Sequence, residues 1–116
     1  MSDFGTMIDV MRRDGANTSE RDRVALDQAI RPLAASGEHT DFTANPFVFR
    51  VGESRSLEGT QGLHVLLSEY WLDDEGGGFE PDELLESDER SAQAVLEALS
   101  EALGPDYRLE LIADHW

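Results

Sequence analysis

The sequence predicts an α+β domain, built from one four-stranded, mainly antiparallel sheet and two helices. Four segments alternate apolar and polar residues with the period of a β-strand. Two other segments repeat apolar residues at helical spacing. Turn-forming glycine, proline and acidic residues separate these segments. The resulting order of elements is β-α-β-β-α-β.

The first strand and the first helix are predicted over residues 4–13 and 19–35. Apolar and polar residues alternate through the strand, and the helix follows a run of good N-terminal caps that ends at Ser19. Pro32 removes a backbone donor, so the helix is expected to kink or end near it. Gly37 closes the segment in either case.

The second and third strands are predicted over residues 47–51 and 63–72. Phe47, Phe49 and Val51 share one face of the second strand. Residues 52–62 are rich in glycine and charge, which predicts a flexible loop between the two strands. Residues 63–72 carry the strongest β pattern in the chain.

The second half ends with a helix over 88–103 and a strand over 106–114. Ser87 suits the helix cap, and a separate short helix is predicted at Pro81. The simplest architecture for this order of elements is the ferredoxin-like plan, with both helices on one face of the sheet. The length of 116 residues predicts a single domain over 1–116.

The composition excludes several classes of function. The chain has no cysteine, which excludes disulfides and thiolate chemistry. All nine basic residues are arginine, so lysine-dependent catalysis is excluded as well. A net charge of −16 argues against binding to nucleic acid or to an anionic membrane surface. The first residues lack a secretory pattern, and no apolar stretch could span a bilayer, so a cytoplasmic location is expected.

No motif for a metal or a cofactor is present. The three histidines are far apart in sequence, and none belongs to a paired metal-binding spacing. The acidic loop that begins at Asp73 lacks the ligand pattern of an EF-hand. We therefore expect no cofactor and no metal, and a function other than catalysis is favoured.

The acidic charge is concentrated in the second half of the chain. Residues 1–58 have a net charge of −3, whereas residues 59–116 have a net charge of −13. Such a segment is either a solvated acidic face or a surface that attracts a basic partner. The candidate partner-binding residues are Asp73, Asp74, Glu75, Glu80, Asp82, Glu83 and Glu86.

A second candidate site lies on the sheet face turned away from the helices. Strand alternation places Ser68 on this face together with the candidate site residues Asp9, Arg50, His64, Tyr70 and Glu110. Three interpretations remain open: a homodimer or partner interface, an ordinary solvated sheet, and a ligand or active site. In an active site, His64 would be the acid/base group, and Asp9 or Glu110 would orient it.

These observations predict a small protein-binding module, of the kind that inhibitors or immunity proteins use to dock a basic partner. The alternative is a small-molecule-binding or enzymatic domain that uses the open sheet face. In one form of this alternative, two copies of the domain form a homodimer. Assembly state and partner capture distinguish the two.

Overall fold

The chain forms six regular elements in the predicted order β-α-β-β-α-β. A computed structural model describes residues 4–36, 47–70 and 81–115. The elements are β1 (Phe4–Arg12), α1 (Glu20–Ser36), β2 (Arg50–Arg55), β3 (Gln61–Tyr70), α2 (Pro81–Leu103) and β4 (Tyr107–His115).

The four strands form one sheet in the order β2-β3-β1-β4, and every neighbouring pair is antiparallel. Because β3 lies between β1 and β2, the connection through α1 crosses over it. The connection through α2 crosses over β1 in the same way, on the path from β3 to β4. This is the ferredoxin-like arrangement, so the predicted fold class is confirmed.

Both helices pack on the same face of the sheet. The buried core joins residues of β1 and β3 to residues of both helices: Ile8, Val10, Leu26, Ile30, Leu63, Val65, Leu67, Ala92, Val95 and Leu99. Among the described residues, no helix combines the length and apolar character that crossing a membrane requires. The opposite face of the sheet is not covered by any element of the described ranges.

Strand β2 begins three residues later than the predicted segment 47–51. Phe49 has a φ of 48°, a left-handed conformation that interrupts an extended strand. Phe47 and Phe49 nevertheless belong to the core, with their ring centroids 6.2 Å apart. The predicted loop over 52–62 is wrong for most of its length, because β2 and β3 leave only residues 56–60 between them.

Helix α2 is one continuous helix of 23 residues, where the sequence predicted two. Pro81 occupies its first position, where a missing backbone donor costs nothing. Asp88, which was expected in a first turn, lies inside this helix and is 0% exposed. Helix α1 likewise continues past Pro32 and ends at Ser36.

A β-bulge between β1 and β3 changes which residues face the core near the end of β3. Thr6 pairs with Ser68 but Met7 pairs with Leu66, so Leu67 is an extra residue in β3. The placements of Ser68 and Tyr70 on the open face are therefore wrong. They pair with Thr6 and Phe4, which lie on the same face of β1 as the core residue Ile8. Ser68 is buried, and its Oγ lies 2.7 Å from Oγ1 of Thr6.

A buried carboxylate holds the start of α1 against β1 and β4. Asp22 is 3% exposed and accepts hydrogen bonds from the backbone amide and hydroxyl of Ser19, at 2.7 and 3.1 Å. It also accepts from Arg12, at 3.2 Å, and from the hydroxyl of Tyr107. Burial by itself would raise the pKa of Asp22, but the donated hydrogen bonds and the Arg12 charge lower it overall. Ser19 and Asp22 thus have the spacing of a capping box.

Candidate functional site

The open face is the side of the sheet turned away from α1 and α2. Its residues alternate along each strand with residues that pack against the core. On the described strands it carries Met7, Asp9, Met11, Arg50, Gly52, Ser54, Gly62, His64, Leu66, Glu69, Arg108, Glu110 and Ile112. By register this face has four acidic positions, Asp9, Glu69, Glu110 and Asp114, together with two arginines and a histidine. This surface is therefore far closer to electrical neutrality than the chain as a whole, whose net charge is −16.

Three of the predicted site residues lie in one row across the sheet. Asp9 of β1 pairs with His64 of β3 on one side and with Glu110 of β4 on the other. His64 in turn pairs with Gly52 of β2. Paired positions in neighbouring strands place their side chains side by side on the same face. The sheet thus brings together residues from three separate parts of the sequence.

A chain of hydrogen bonds runs along this row through Ser54. The distance from Nδ1 of His64 to Oγ of Ser54 is 2.8 Å, and from that Oγ to Oδ1 of Asp9 it is 3.3 Å. A serine hydroxyl has one proton to donate, and an ionised carboxylate only accepts. The arrangement that satisfies both contacts has His64 donating to Ser54 and Ser54 donating to Asp9.

This order of contacts differs from that of a Ser-His-Asp catalytic triad. In a triad the imidazole accepts the serine proton, and the carboxylate holds the imidazole. Here Ser54 stands between His64 and Asp9, and its proton is directed to the carboxylate. The geometry therefore suits a fixed polar surface better than an activated nucleophile.

Two glycines form the floor on which the side chains of the open face lie. A Cβ at Gly52 would be 2.7 Å from both Cε1 and Nε2 of His64, which is too close for any real contact. A Cβ at Gly62 would overlap Sδ of Met11. The absence of side chains at these two positions lets His64 and Met11 lie across the sheet. Glycine inside a strand commonly marks such a close approach.

The carboxyl group of Asp9 is in an unfavourable electrostatic setting. Burial raises its pKa, and the neighbouring charge of Glu110 raises it further. The hydrogen bond from Ser54 and the proximity of His64 oppose this shift without cancelling it. Like charges directly opposite each other on a sheet destabilise it, so ionised Asp9 and Glu110 cost the fold free energy.

A depression of about 150 Å³ opens beside this row. Its lining joins β1, the end of β2 and β4 through Asp9, Met11, Ser54, Arg55, Ser56, Arg108 and Glu110. Arg55 and Arg108 form no ion pair with any residue of the described ranges. Arg50, by contrast, lies at the start of β2, five residues before Arg55, and its guanidinium lies 2.8 Å from a carboxylate oxygen of Glu69. The structure therefore separates Arg50 from the depression and brings Arg108 to it. Arg55 also lines the depression, but strand alternation places it on the same face of β2 as Val51 and Glu53.

Comparisons with protein-family models, with curated proteins and with solved structures found no match to this chain. Within ranges 4–36, 47–70 and 81–115, no group of three histidine or acidic side chains is arranged to hold a metal ion. The geometry of the open face is thus the main guide to function.

The acidic segment falls only partly within the described structure. Asp73, Asp74, Glu75 and Glu80 lie outside the described residues, as do the side chains of Tyr70, Asp82 and Glu83. Glu86 is exposed on α2. Helical spacing places other exposed acids of α2 on the same side as Glu86: Glu89, Glu97 and Glu101.

Sequence reasoning missed Ser54, Arg55 and Arg108 as site residues. Ser54 and Arg55 fell in a segment expected to be a loop. No local signal marked them, because residues 51–55 read Val-Gly-Glu-Ser-Arg and do not alternate apolar with polar residues. Strand alternation also places Arg108 on the open face beside Glu110, but nothing in its own sequence neighbourhood pointed to a depression there.

Proposed function

We propose that this domain binds a small polar ligand in the depression on its open face. One observation carries the proposal. Arg108 and Glu110 share one face of β4 and line the same depression as Asp9, so side chains of both charges meet there, and Arg108 forms no ion pair in the described ranges. Carboxylates and a guanidinium placed together without pairing are each able to bind a charged group of a ligand.

The neighbouring carboxylates support the same interpretation. Asp9 and Glu110 occupy directly opposite positions, and burial together with the charge of Glu110 raises the pKa of Asp9 above its usual value. Groups held in such costly arrangements are concentrated at functional sites, where the cost is offset when a ligand binds. The pair lies in the same depression as Arg108.

The size of the depression limits the ligand. Ligand pockets for drug-sized molecules have volumes of about 300–1,000 Å³. A depression of about 150 Å³ equals the volume of about five liquid water molecules. The ligand is accordingly a small one, and its recognition depends on charged and hydroxyl groups more than on apolar contact.

Protein-observed NMR tests this function. Backbone amide shifts would be followed while inorganic phosphate, simple carboxylates, primary amines and free amino acids are added in turn. We expect at least one class to shift amides of β1, β4 and the end of β2. Arg108→Gln should weaken that binding about tenfold, the usual effect of losing one hydrogen bond to a charged group.

The matched control is Arg90→Gln. Arg90 is exposed on α2, so this change removes the same charge at a distance from the open face. The proposal is wrong if every responding amide lies elsewhere, or if Arg90→Gln and Arg108→Gln weaken binding equally.

We propose a second candidate function, docking of a basic protein on the acidic second half of the chain. The supporting observation is that α2 is a single helix, so its exposed acids extend the acidic segment along one rigid element. The only base in this helix is Arg90. Electrostatic steering by such a surface raises association rates with basic partners. An inhibitor or immunity-type role and a cytoplasmic location both remain predictions.

Selective neutralisation tests the docking function on a partner captured from a native lysate. The acids to replace by Asn or Gln are Asp73, Asp74, Glu75, Asp82 and Glu83. Association should slow about tenfold at low salt, with a smaller change in dissociation, and the effect should shrink as salt rises. Neutralising Glu20, Asp27, Glu53 and Glu58 of the first half is the control.

Changes on the open face separate the two functions. If that face binds the captured partner, His64→Ala should abolish binding, and the neutralised acidic segment should bind normally. A homodimer formed through the open face would be shown by sedimentation. It would be lost on substitution of His64 but kept in the acidic-segment variant.

A further inference from the structure

We infer that the ligand of the open face is a zwitterion of the size of a free α-amino acid. This inference rests on the proposed binding function and specifies its chemistry. It follows from the presence of two acids, Arg108 and two serine hydroxyls around one depression of about 150 Å³.

One side of the depression suits an ammonium group. Asp9 and Glu110 occupy directly paired positions on β1 and β4, so their carboxylates are neighbours. A cation between them would compensate the charge of both carboxylates and so relieve their mutual repulsion. Ser54 already donates to one oxygen of Asp9, which leaves acceptor capacity on both carboxylates for further donors.

The position next to this pair suits a carboxylate. Arg108 lies two residues from Glu110 on the same face of β4, and its guanidinium supplies planar donors that match carboxylate geometry. Ser56, which follows β2 on the far side of the depression, adds a hydroxyl. Its Oγ accepts a hydrogen bond from the amide of Thr60, at 3.1 Å, so its own proton remains available to a ligand.

Ligands of a single charge fit the depression less well. A simple anion would meet two carboxylates beside Arg108 and would also be repelled by a net charge of −16. A simple cation would meet the guanidinium of Arg108. A neutral molecule would leave the charges of Asp9, Glu110 and Arg108 without compensation. A zwitterion satisfies both halves and carries no net charge, so the field of the whole protein does not repel it.

The test compares glycine with its two halves, acetate and methylammonium, by NMR titration of the full chain. We expect glycine to shift amides around the depression with a Kd of about 1 mM, which is typical of so small a ligand. Acetate and methylammonium should each bind at least tenfold more weakly at the same residues.

Two variants test which residue of the depression binds each charged group of glycine. Arg108→Gln should weaken glycine and acetate about tenfold and leave methylammonium unchanged. Glu110→Gln should weaken glycine and methylammonium and leave acetate unchanged or slightly tighter. Arg90→Gln and Glu97→Gln are the charge-matched controls on α2, and they should leave glycine binding within twofold.

Each outcome decides between the two proposals. If acetate or phosphate binds at these residues as tightly as glycine, the depression is a ligand site but the zwitterion inference is wrong. If glycine binds and the two control variants weaken it as much as the site variants do, the inference is also wrong. If no probe shifts these amides, both the inference and the proposed binding function fail.

Discussion

Asp22 and Asp9 are both aspartates held in polar networks, yet their surroundings act on them in opposite directions. Asp22 accepts four hydrogen bonds, from Ser19 twice, from Arg12 and from Tyr107, and its pKa is lowered. Asp9 accepts one from Ser54, faces a second carboxylate across the sheet, and has a raised pKa.

The difference separates a carboxylate that stabilises the fold from one that does not. The donors around Asp22 compensate its charge within the protein, so the network can be complete without any ligand. The network around Asp9 leaves negative charge uncompensated on the open face. A polar cluster that favours folding is explained by folding, whereas one that opposes it requires another explanation.

The largest expected effect is at Asp22. Asp22→Ala should destabilise the protein by about 3 kcal/mol at pH 7, because it removes a capping interaction and leaves buried donors without an acceptor. The pKa of Asp22 is lower in the folded state, so its contribution is present above the usual aspartate pKa. It is lost as pH falls through the lowered folded-state pKa.

Urea unfolding at a series of pH values measures this effect. The cost of Asp22→Ala should shrink toward pH 3. Tyr107→Phe, which removes one of the four hydrogen bonds, is the milder comparison, with an expected cost of about 1 kcal/mol. A cost for Asp22→Ala that stays the same across the pH range would show that its charge does not matter.

An intermediate effect is expected at Gly52. Gly52→Ala should destabilise the protein by about 1–2 kcal/mol, because the new methyl group must displace the ring of His64. Breaking the contact between His64 and Ser54 should also change the histidine ring shifts in NMR spectra. In a His64→Ala background the same substitution should be neutral or stabilising, since alanine is favoured over glycine in a strand interior. An equal cost in both backgrounds would contradict the close approach.

The smallest effect is at Asp9, and it has the opposite sign. Asp9→Asn should stabilise the protein by about 0.5 kcal/mol at pH 7, because it removes one of two like charges that face each other. The raised pKa means that ionising Asp9 costs stability as pH rises through the folded-state value. The stabilisation of the protein by Asp9→Asn should therefore vanish below the usual aspartate pKa.

The control for this change is Glu53→Gln, on the exposed part of β2. Thermal unfolding of both variants at pH 7 separates a local effect from a general loss of negative charge. Equal stabilisation by the two variants would show that Asp9 is no more strained than any other acid of the protein.

The order of elements and the inward face of each helix could be predicted because they depend on periodicity within one segment. Leu26, Ile30, Val95 and Leu99 show the helical spacing directly, and all four are buried. The shared face of Asp9, His64 and Glu110 followed from strand alternation in the same way. These features require no knowledge of how distant segments pair.

The predictions that were wrong concern features that depend on pairing between distant segments. The bulge at Leu67 reverses the alternation for Ser68, and only the register of β3 against β1 reveals it. The left-handed conformation of Phe49 delays the start of β2. Ser54 was missed because the composition of residues 52–62 predicts a loop, whereas pairing with β3 makes residues 52–55 part of a strand. The four hydrogen bonds to Asp22 come from β1, β4 and the cap of α1, so no local sequence pattern could predict them together.

The glycine floor restricts the order in which this sequence can evolve. A side chain can appear at position 52 only after His64 has been replaced by something smaller, and the same dependence links position 62 to Met11. A change that is harmful as a first step becomes acceptable as a second one. Among descendants of this chain, we therefore expect each of these two pairs of positions to vary together or not at all.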